Sequence, residues 1–126
     1  MAKRIPLILV VEDDKELLKM LGRMLSEMAE VELARDGVEA VEKLQTGLAP
    51  DLIITDLMMP RMDGLTLAKQ LKLEPQTKQT PVIMLTAKNG ARDVVAGINA
   101  GARSYITKPF KHDELLSKVR SVLHLD

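Results

Sequence analysis

The chain has no cysteine and no tryptophan, and Tyr105 and Phe110 are its only aromatic residues. Without thiols there is no disulfide framework and no thiolate metal site. Two rings are too few for the stacking platforms that grip single-stranded nucleic acid. An excess of either charge is missing as well, with 18 Lys and Arg against 18 Asp and Glu. That balance provides no overall field to attract nucleic acid or an anionic membrane. No apolar run approaches the ~18 residues that span a bilayer. The basic start, Met1-Ala2-Lys3-Arg4, leads into Ile5 to Val11, which contains Pro6 and ends in three acids. A secretory signal needs a longer apolar run and a small-residue cleavage site. The expectation is a cytoplasmic protein that touches neither membrane nor nucleic acid directly.

What remains is an ordinary globular composition, 46% hydrophobic and 29% charged over 126 residues, which suits one domain spanning 1–126. Short apolar runs occur at Leu7–Val11, Val31–Ala34, Leu52–Thr55, Val82–Thr86 and Tyr105–Thr107. Helical spacing fills the stretches between them. Leu17, Leu18, Leu21, Met24, Leu25 and Met28 form one stripe, with Lys15, Glu16, Lys19, Arg23 and Glu27 mostly opposite. A second helix follows Asp36-Gly37 and runs to Gly47, and a third spans Leu65 to Leu73, ended by Pro75. A shorter fourth covers Arg92 to Ala100, and a fifth runs from His112 to Leu123 with Leu115, Leu116, Val119, Val122 and Leu123 inward. Five repeats of strand then helix, with strands apolar throughout, predict an α/β fold. A doubly wound parallel sheet covered on both faces is the natural solution.

Ligands in such sheets bind beyond the carboxyl ends of the strands. The residues found there are Glu12-Asp13-Asp14 after the first strand, Asp56 after the third, Thr86-Ala87 at the end of the fourth, and Thr107-Lys108-Pro109 at the end of the fifth. Each has an ordinary reading on its own. Asp13 or Asp14 would cap a helix, Asp56 would shape a turn, Thr86 would bond its own backbone, and Lys108 would be a solvated charge. Together they are costly: two carboxylates ~4 Å apart repel by about 4 kcal/mol at an effective dielectric near 20. A divalent cation with hard oxygen ligands explains the grouping, and Mg²⁺ suits one or two carboxylates plus waters and a phosphate oxygen. Met58, Met59 and Met62 could suggest a soft-metal site, but gap-filling or contact is the usual work of such side chains. His112 and His124 are read as exposed helix residues.

The chain resembles the receiver domain of two-component response regulators over essentially its whole length. The motifs are Val10-Val11-Glu12-Asp13-Asp14, Asp51 through Pro60 with Met62-Asp63-Gly64, Met84-Leu85-Thr86-Ala87, and Gly101-Ala102 leading to Tyr105-Ile106-Thr107-Lys108-Pro109-Phe110. The resemblance implies a five-stranded parallel sheet in the order 2-1-3-4-5 with five helices. It implies that Asp56 accepts a phosphoryl group from a sensor histidine kinase or a histidine phosphotransfer protein. Mg²⁺ would be held by Asp13 directly, by Glu12 mainly through water, by Asp56 and by the carbonyl of Met58. Lys108 would bond the phosphoryl oxygens, with a cis bond before Pro109, and the Thr86 hydroxyl and Ala87 N–H would bond the transferred group. Thr86 and Tyr105 would carry the switch to a face made of the fourth helix, fifth strand and fifth helix, read by a downstream protein of unknown identity. The chain would then be a phosphoacceptor module that assists its own phosphorylation and dephosphorylation, rather than an enzyme.

Arg103, Ser104 and Ala96 depart from the winged-helix branch of that family, which typically has two acids and a basic residue there, and this argues against dimerisation through that ion-pair set. A flavodoxin-like cofactor module shares the architecture but needs a Ser/Thr/Gly phosphate loop where Glu12-Asp13-Asp14 stands. A haloacid-dehalogenase phosphatase would have an acid where Met58 is. Nothing between Ser117 and Asp126 distinguishes a stand-alone regulator from the receiver part of a larger one.

Overall fold

The computed structural model describes residues 5–59, 61–86, 95–96 and 98–125. Its elements run β1 (Leu7–Val11), α1 (Lys15–Leu25), β2 (Glu30–Ala34), α2 (Gly37–Gln45), β3 (Leu52–Asp56), α3 (Gly64–Leu73), β4 (Val82–Thr86), β5 (Ser104–Thr107) and α4 (His112–Leu123). The strands form one sheet in the order β2-β1-β3-β4-β5, every pair parallel. Four helices are therefore complete among the described residues, not five. Four of the nine residues of the fourth helix expected over Arg92 to Ala100 lie outside them, and residues 95–96 and 98–99 are helical. The last helix of the sequence reading is α4.

Period-two alternation explains why the strands are apolar throughout. Ile8, Val10, Leu52, Ile54, Ile83, Leu85 and Ile106 face one way, onto Leu18, Leu21 and Leu25 of α1 and Leu115, Leu116 and Val119 of α4. Leu9, Val11, Ile53 and Val82 face the other way, onto Ala40 and Leu44 of α2 and Leu67 and Leu71 of α3. Each fully buried aliphatic side chain contributes about 1.5–3 kcal/mol, so both faces must be covered. The stripe of α1 continues past the helix. The helix stops at Leu25, the N–H groups of Met28 and Ala29 both donate to the Leu25 carbonyl, and Met28 still packs on the core from the turn.

Short polar side chains set where the helices start. Asp14 accepts from the N–H groups of Glu16 and Leu17, Asp36 from Glu39, and Asp63 from Thr66. Each satisfies a donor that the first helical turn leaves without a partner. At the other end of α3, Glu74 turns extended before Pro75, as the residue before proline tends to do, and the buried Thr77 hydroxyl donates to the Leu71 carbonyl at 2.7 Å.

Gly64 opens α3 against the end of β3. A Cβ there would lie 2.8 Å from the Met84 sulfur and 3.1 Å from the Leu57 Cα, and closer still to the Asp56 carbonyl oxygen. Only a residue without a side chain lets the helix begin this near the strand. Gly64→Ala should therefore cost about 1–3 kcal/mol of unfolding free energy by forcing the two backbones apart. Urea denaturation reads that loss, and an unchanged midpoint would contradict the close approach.

Candidate functional site

Strand order reverses between β1 and β3: β2 lies on one side of β1, and β4 and β5 lie beyond β3. At this switch point the rim residues meet. Asp56 is the last residue of β3, in phase with Leu52 and Ile54. Glu12 follows β1 in phase with Ile8 and Val10, and its N–H still donates to Ala34 of β2. Lys108 follows β5 in phase with Ile106, and its N–H donates to the Thr86 carbonyl at 2.7 Å. Alternation thus turns all three side chains to the α1/α4 side of the rim.

Lys108 Nζ donates to Glu12 Oε1 at 2.9 Å and lies 3.3 Å from Asp56 Oδ1. Glu12 is 1% exposed and Asp56 7% exposed. The second Glu12 oxygen accepts the Asp14 N–H at 3.0 Å, so both of its oxygens have partners within the protein. Asp13 is exposed, and no hydrogen bond or ion pair engages its carboxylate among the described residues. One oxygen from each of Glu12, Asp13 and Asp56 lies within 4.8 Å of the others. At that separation each charged pair costs roughly 3 kcal/mol at an effective dielectric near 20, and a single ammonium cannot neutralise three acids. The donors are all hard oxygens, which fits Mg²⁺ or Ca²⁺ and not a soft metal.

The acid–base behaviour follows from burial first. Desolvation pushes the Glu12 and Asp56 carboxyls above their ordinary range, aided by the charge of Asp56 on Glu12 and of Asp13 on Asp56. The bonds to Lys108, and N–H donation from Asp14 to Glu12 and from Leu57 to Asp56, only partly offset this. Burial opposes charge on Lys108 too, but its bond to Glu12 and the charges of Asp56 and Glu12 outweigh that and raise it. Lys108 is therefore an ammonium throughout the physiological range.

The other sequence expectations divide. Asp14 is a helix cap and is not one of the clustered acids. Thr86 is buried at the end of β4, one residue beyond the pairing of Asp56 with Leu85. The Lys108–Pro109 bond is cis. Met58 is 72% exposed at the start of the β3–α3 loop, and the Tyr105 side chain on β5 is 40% exposed. Ala87 lies outside the described residues. Arg61 received no role in the sequence reading, yet it has a left-handed backbone, φ 67°, and its guanidinium forks onto both oxygens of Asp36 at 2.9 Å. The signal for that pair, an Arg two residues before Asp63-Gly64 and an acid before a helix, is too common to single out.

Residues 8–120 match the family described as the response regulator receiver domain. The chain is 44% identical over 117 residues to the response regulator MprA of Mycobacterium ulcerans (strain Agy99), covering 92% of this chain and 49% of that protein. It spans about half the length of the curated relatives it matches. Among solved structures it is similar to the signal receiver domain of a signal transduction histidine kinase from Syntrophus aciditrophicus, at 42% identity and a TM-score of 0.87, covering 94% of this chain and 90% of the other. It is also similar to the receiver domain of sensor histidine kinase PA1611 from Pseudomonas aeruginosa PAO1, which has a magnesium ion coordinated in its active site cleft. There the identity is 28% and the TM-score 0.87, covering 96% and 99% of the two chains.

The raised carboxyl pKa values carry a sign that can be checked. A carboxyl whose folded pKa lies above its unfolded value holds its proton more tightly when folded. Its ionisation thus costs stability, absent at low pH and incurred as pH rises through the unfolded and then the folded value. Asp56→Asn removes that cost, so without divalent metal it should unfold at higher temperature than the parent at neutral pH, with the gap narrowing on acidification. Thermal melts in EDTA across pH would count against the electrostatic account if the variant proved less stable at neutral pH.

Proposed function

Because this chain belongs to the response regulator receiver domain family of two-component systems, we propose that Asp56 is its phosphoacceptor and that residues 1–126 form one receiver domain. The observation that carries this reading is a buried carboxylate with an ammonium 3.3 Å away and two further acids beside it. An Asp56 oxygen attacks the phosphorus of a phosphohistidine, and a P–O bond forms as the P–N bond breaks. The P–N electron pair stays on the imidazole nitrogen, whose ring leaves neutral because the phosphohistidine ring was already protonated on its other nitrogen. A carboxylate can serve as the nucleophile without a base of its own. Phosphoryl transfer passes through a loose transition state, so placement and charge compensation are the main tasks left to the protein.

Lys108 supplies part of that compensation. Already held between Glu12 and Asp56, it donates to the phosphoryl oxygens with no large rearrangement. Asp13, which has no partner of its own among the described residues, would be the direct carboxylate ligand of Mg²⁺ alongside Asp56, with the Met58 carbonyl as a further ligand. Glu12, committed to Lys108 and the Asp14 N–H, would act mainly through water. When bound, Mg²⁺ neutralises the acids and the incoming phosphoryl oxygens.

The Thr86 hydroxyl and the Ala87 N–H donate to the transferred group, and movement of Thr86 makes room for the Tyr105 ring to turn inward. A phosphoryl group brings about −1.5 to −2 charge. Moving a two-state population from 1% to 99% takes about 5.5 kcal/mol, so a bound partner supplies what phosphorylation leaves short. The donor is a histidine kinase or phosphotransfer protein, the receiver is a signalling module in the cytoplasm, and the target reads the face that includes β5 and α4.

Acetyl phosphate with Mg²⁺ should label the parent on Asp56 and leave Asp56→Asn unlabelled, as mass spectrometry of the modified peptide would show. Labelling elsewhere, or without a divalent ion, rules out this assignment. Thr86→Ala should still accept phosphate while responding weakly to it. The readout is the phosphorylation-dependent change in amide exchange on β5 and α4, and a full response in that variant would remove Thr86 from the switch.

A further inference from the structure

We propose that the fork between Arg61 and Asp36 is a positioning device for the phosphorylation site, tying the β3–α3 loop that carries Met58 to the start of α2. The proposal rests on the reading above, in which the Met58 carbonyl and Asp56 hold the divalent ion. Arg61 is three residues beyond Met58 in the same loop. Its left-handed backbone is one that a side-chain-bearing residue adopts only when its surroundings impose it. Nε donates to one Asp36 oxygen and Nη2 to the other, both at 2.9 Å.

An exposed ion pair usually contributes little, because two mobile side chains must be ordered to make it. Here one end is ordered already. Asp36 caps α2 by accepting the Glu39 N–H at 2.9 Å, and its side chain is only 13% exposed. The bidentate geometry is specific to the guanidinium, and a lysine cannot reproduce it.

The same loop is fastened at a second point beside the first. Met62 lies over Gly37, the first residue of α2, so closely that a Cβ there would come within 2.8–2.9 Å of the Met62 side chain. Met59 and Met62 both rest on the core beneath α2 and α3. Between Asp56 and Gly64 the chain is thus held to α2 by a polar fork and an apolar contact, each on a residue adjacent to the other. Loosening the fork releases the segment that must keep the Met58 carbonyl aimed at the ion, while Glu12, Asp13 and Asp56 stay where the strands put them.

Calorimetric Mg²⁺ titration of the whole chain, paired with thermal melts, tests this. Arg61→Ala and Asp36→Asn should each weaken Mg²⁺ by about tenfold, the scale typical of groups that orient metal ligands. Asparagine retains the helix cap, which separates capping from the fork. Arg61→Lys should fall between Ala and the parent. Arg61→Gly relieves the left-handed strain but removes the fork, so it should lose as much Mg²⁺ affinity as Arg61→Ala while melting higher than it. The acetyl phosphate labelling rate at saturating Mg²⁺ should return close to that of the parent in all four. Lys43→Ala, which breaks the Lys43–Glu32 pair elsewhere on α2, should bind Mg²⁺ like the parent. Affinities for Arg61→Gly and Asp36→Asn within about twofold of the parent overturn the proposal. An equal loss in Lys43→Ala overturns it too, by making the effect a general loosening of α2. A parent that takes up no Mg²⁺ overturns the site reading itself, and with it this inference.

Discussion

Three carboxylates forced together at the end of a buried sheet, with one lysine among them, create the tension on which the rest of the structure depends. Burial makes the charged forms of Glu12 and Asp56 costly, and Asp13 adds repulsion. Lys108 relieves only part of it. A site built this way is poised for further positive charge. The same unfavourable field that costs stability is what favours a cation beside these acids.

That tension is sustainable because the surroundings are rigid. Both faces of the sheet are covered by aliphatic side chains, and among the described residues no buried side-chain nitrogen or oxygen is left without a hydrogen-bond partner. The strands fix three of the polar residues through alternation alone. The loop after Asp56 needs fastening of its own, which comes from Gly64 against the strand end, Met62 over Gly37, and Arg61 on Asp36. Backbone precision beside Asp56 therefore comes from residues that have no part in the chemistry.

The relatives set the scale of what this domain contributes. MprA of Mycobacterium ulcerans is matched over about half its length, while receiver domains of histidine kinases are matched almost end to end. The same layered unit thus recurs in different settings, and the phosphoacceptor chemistry proposed here is compatible with many outputs. The exposed Tyr105 side chain and the unusual Arg103 and Ser104 lie on or beside β5, an edge strand of the sheet, where differences in output would be expected to appear.

Local pattern fixed a large part of this protein. Short apolar runs placed every strand within a residue or so, and the caps Asp14, Asp36 and Asp63 sit where short acids precede apolar stripes. The acids and the lysine were legible as a group because strand ends in a parallel sheet share one rim. Helical spacing hid the end of α1, since Met28 continues the stripe from a turn. Tertiary structure alone decided which partners those polar groups choose. Lys108 rests nearer to Glu12 than to Asp56, Glu12 spends its second oxygen on the Asp14 N–H, and Arg61 reaches back 25 residues to Asp36. Such choices depend on distances between segments far apart in the chain, which no local periodicity encodes. They appear only once packing has set how near the loops can come.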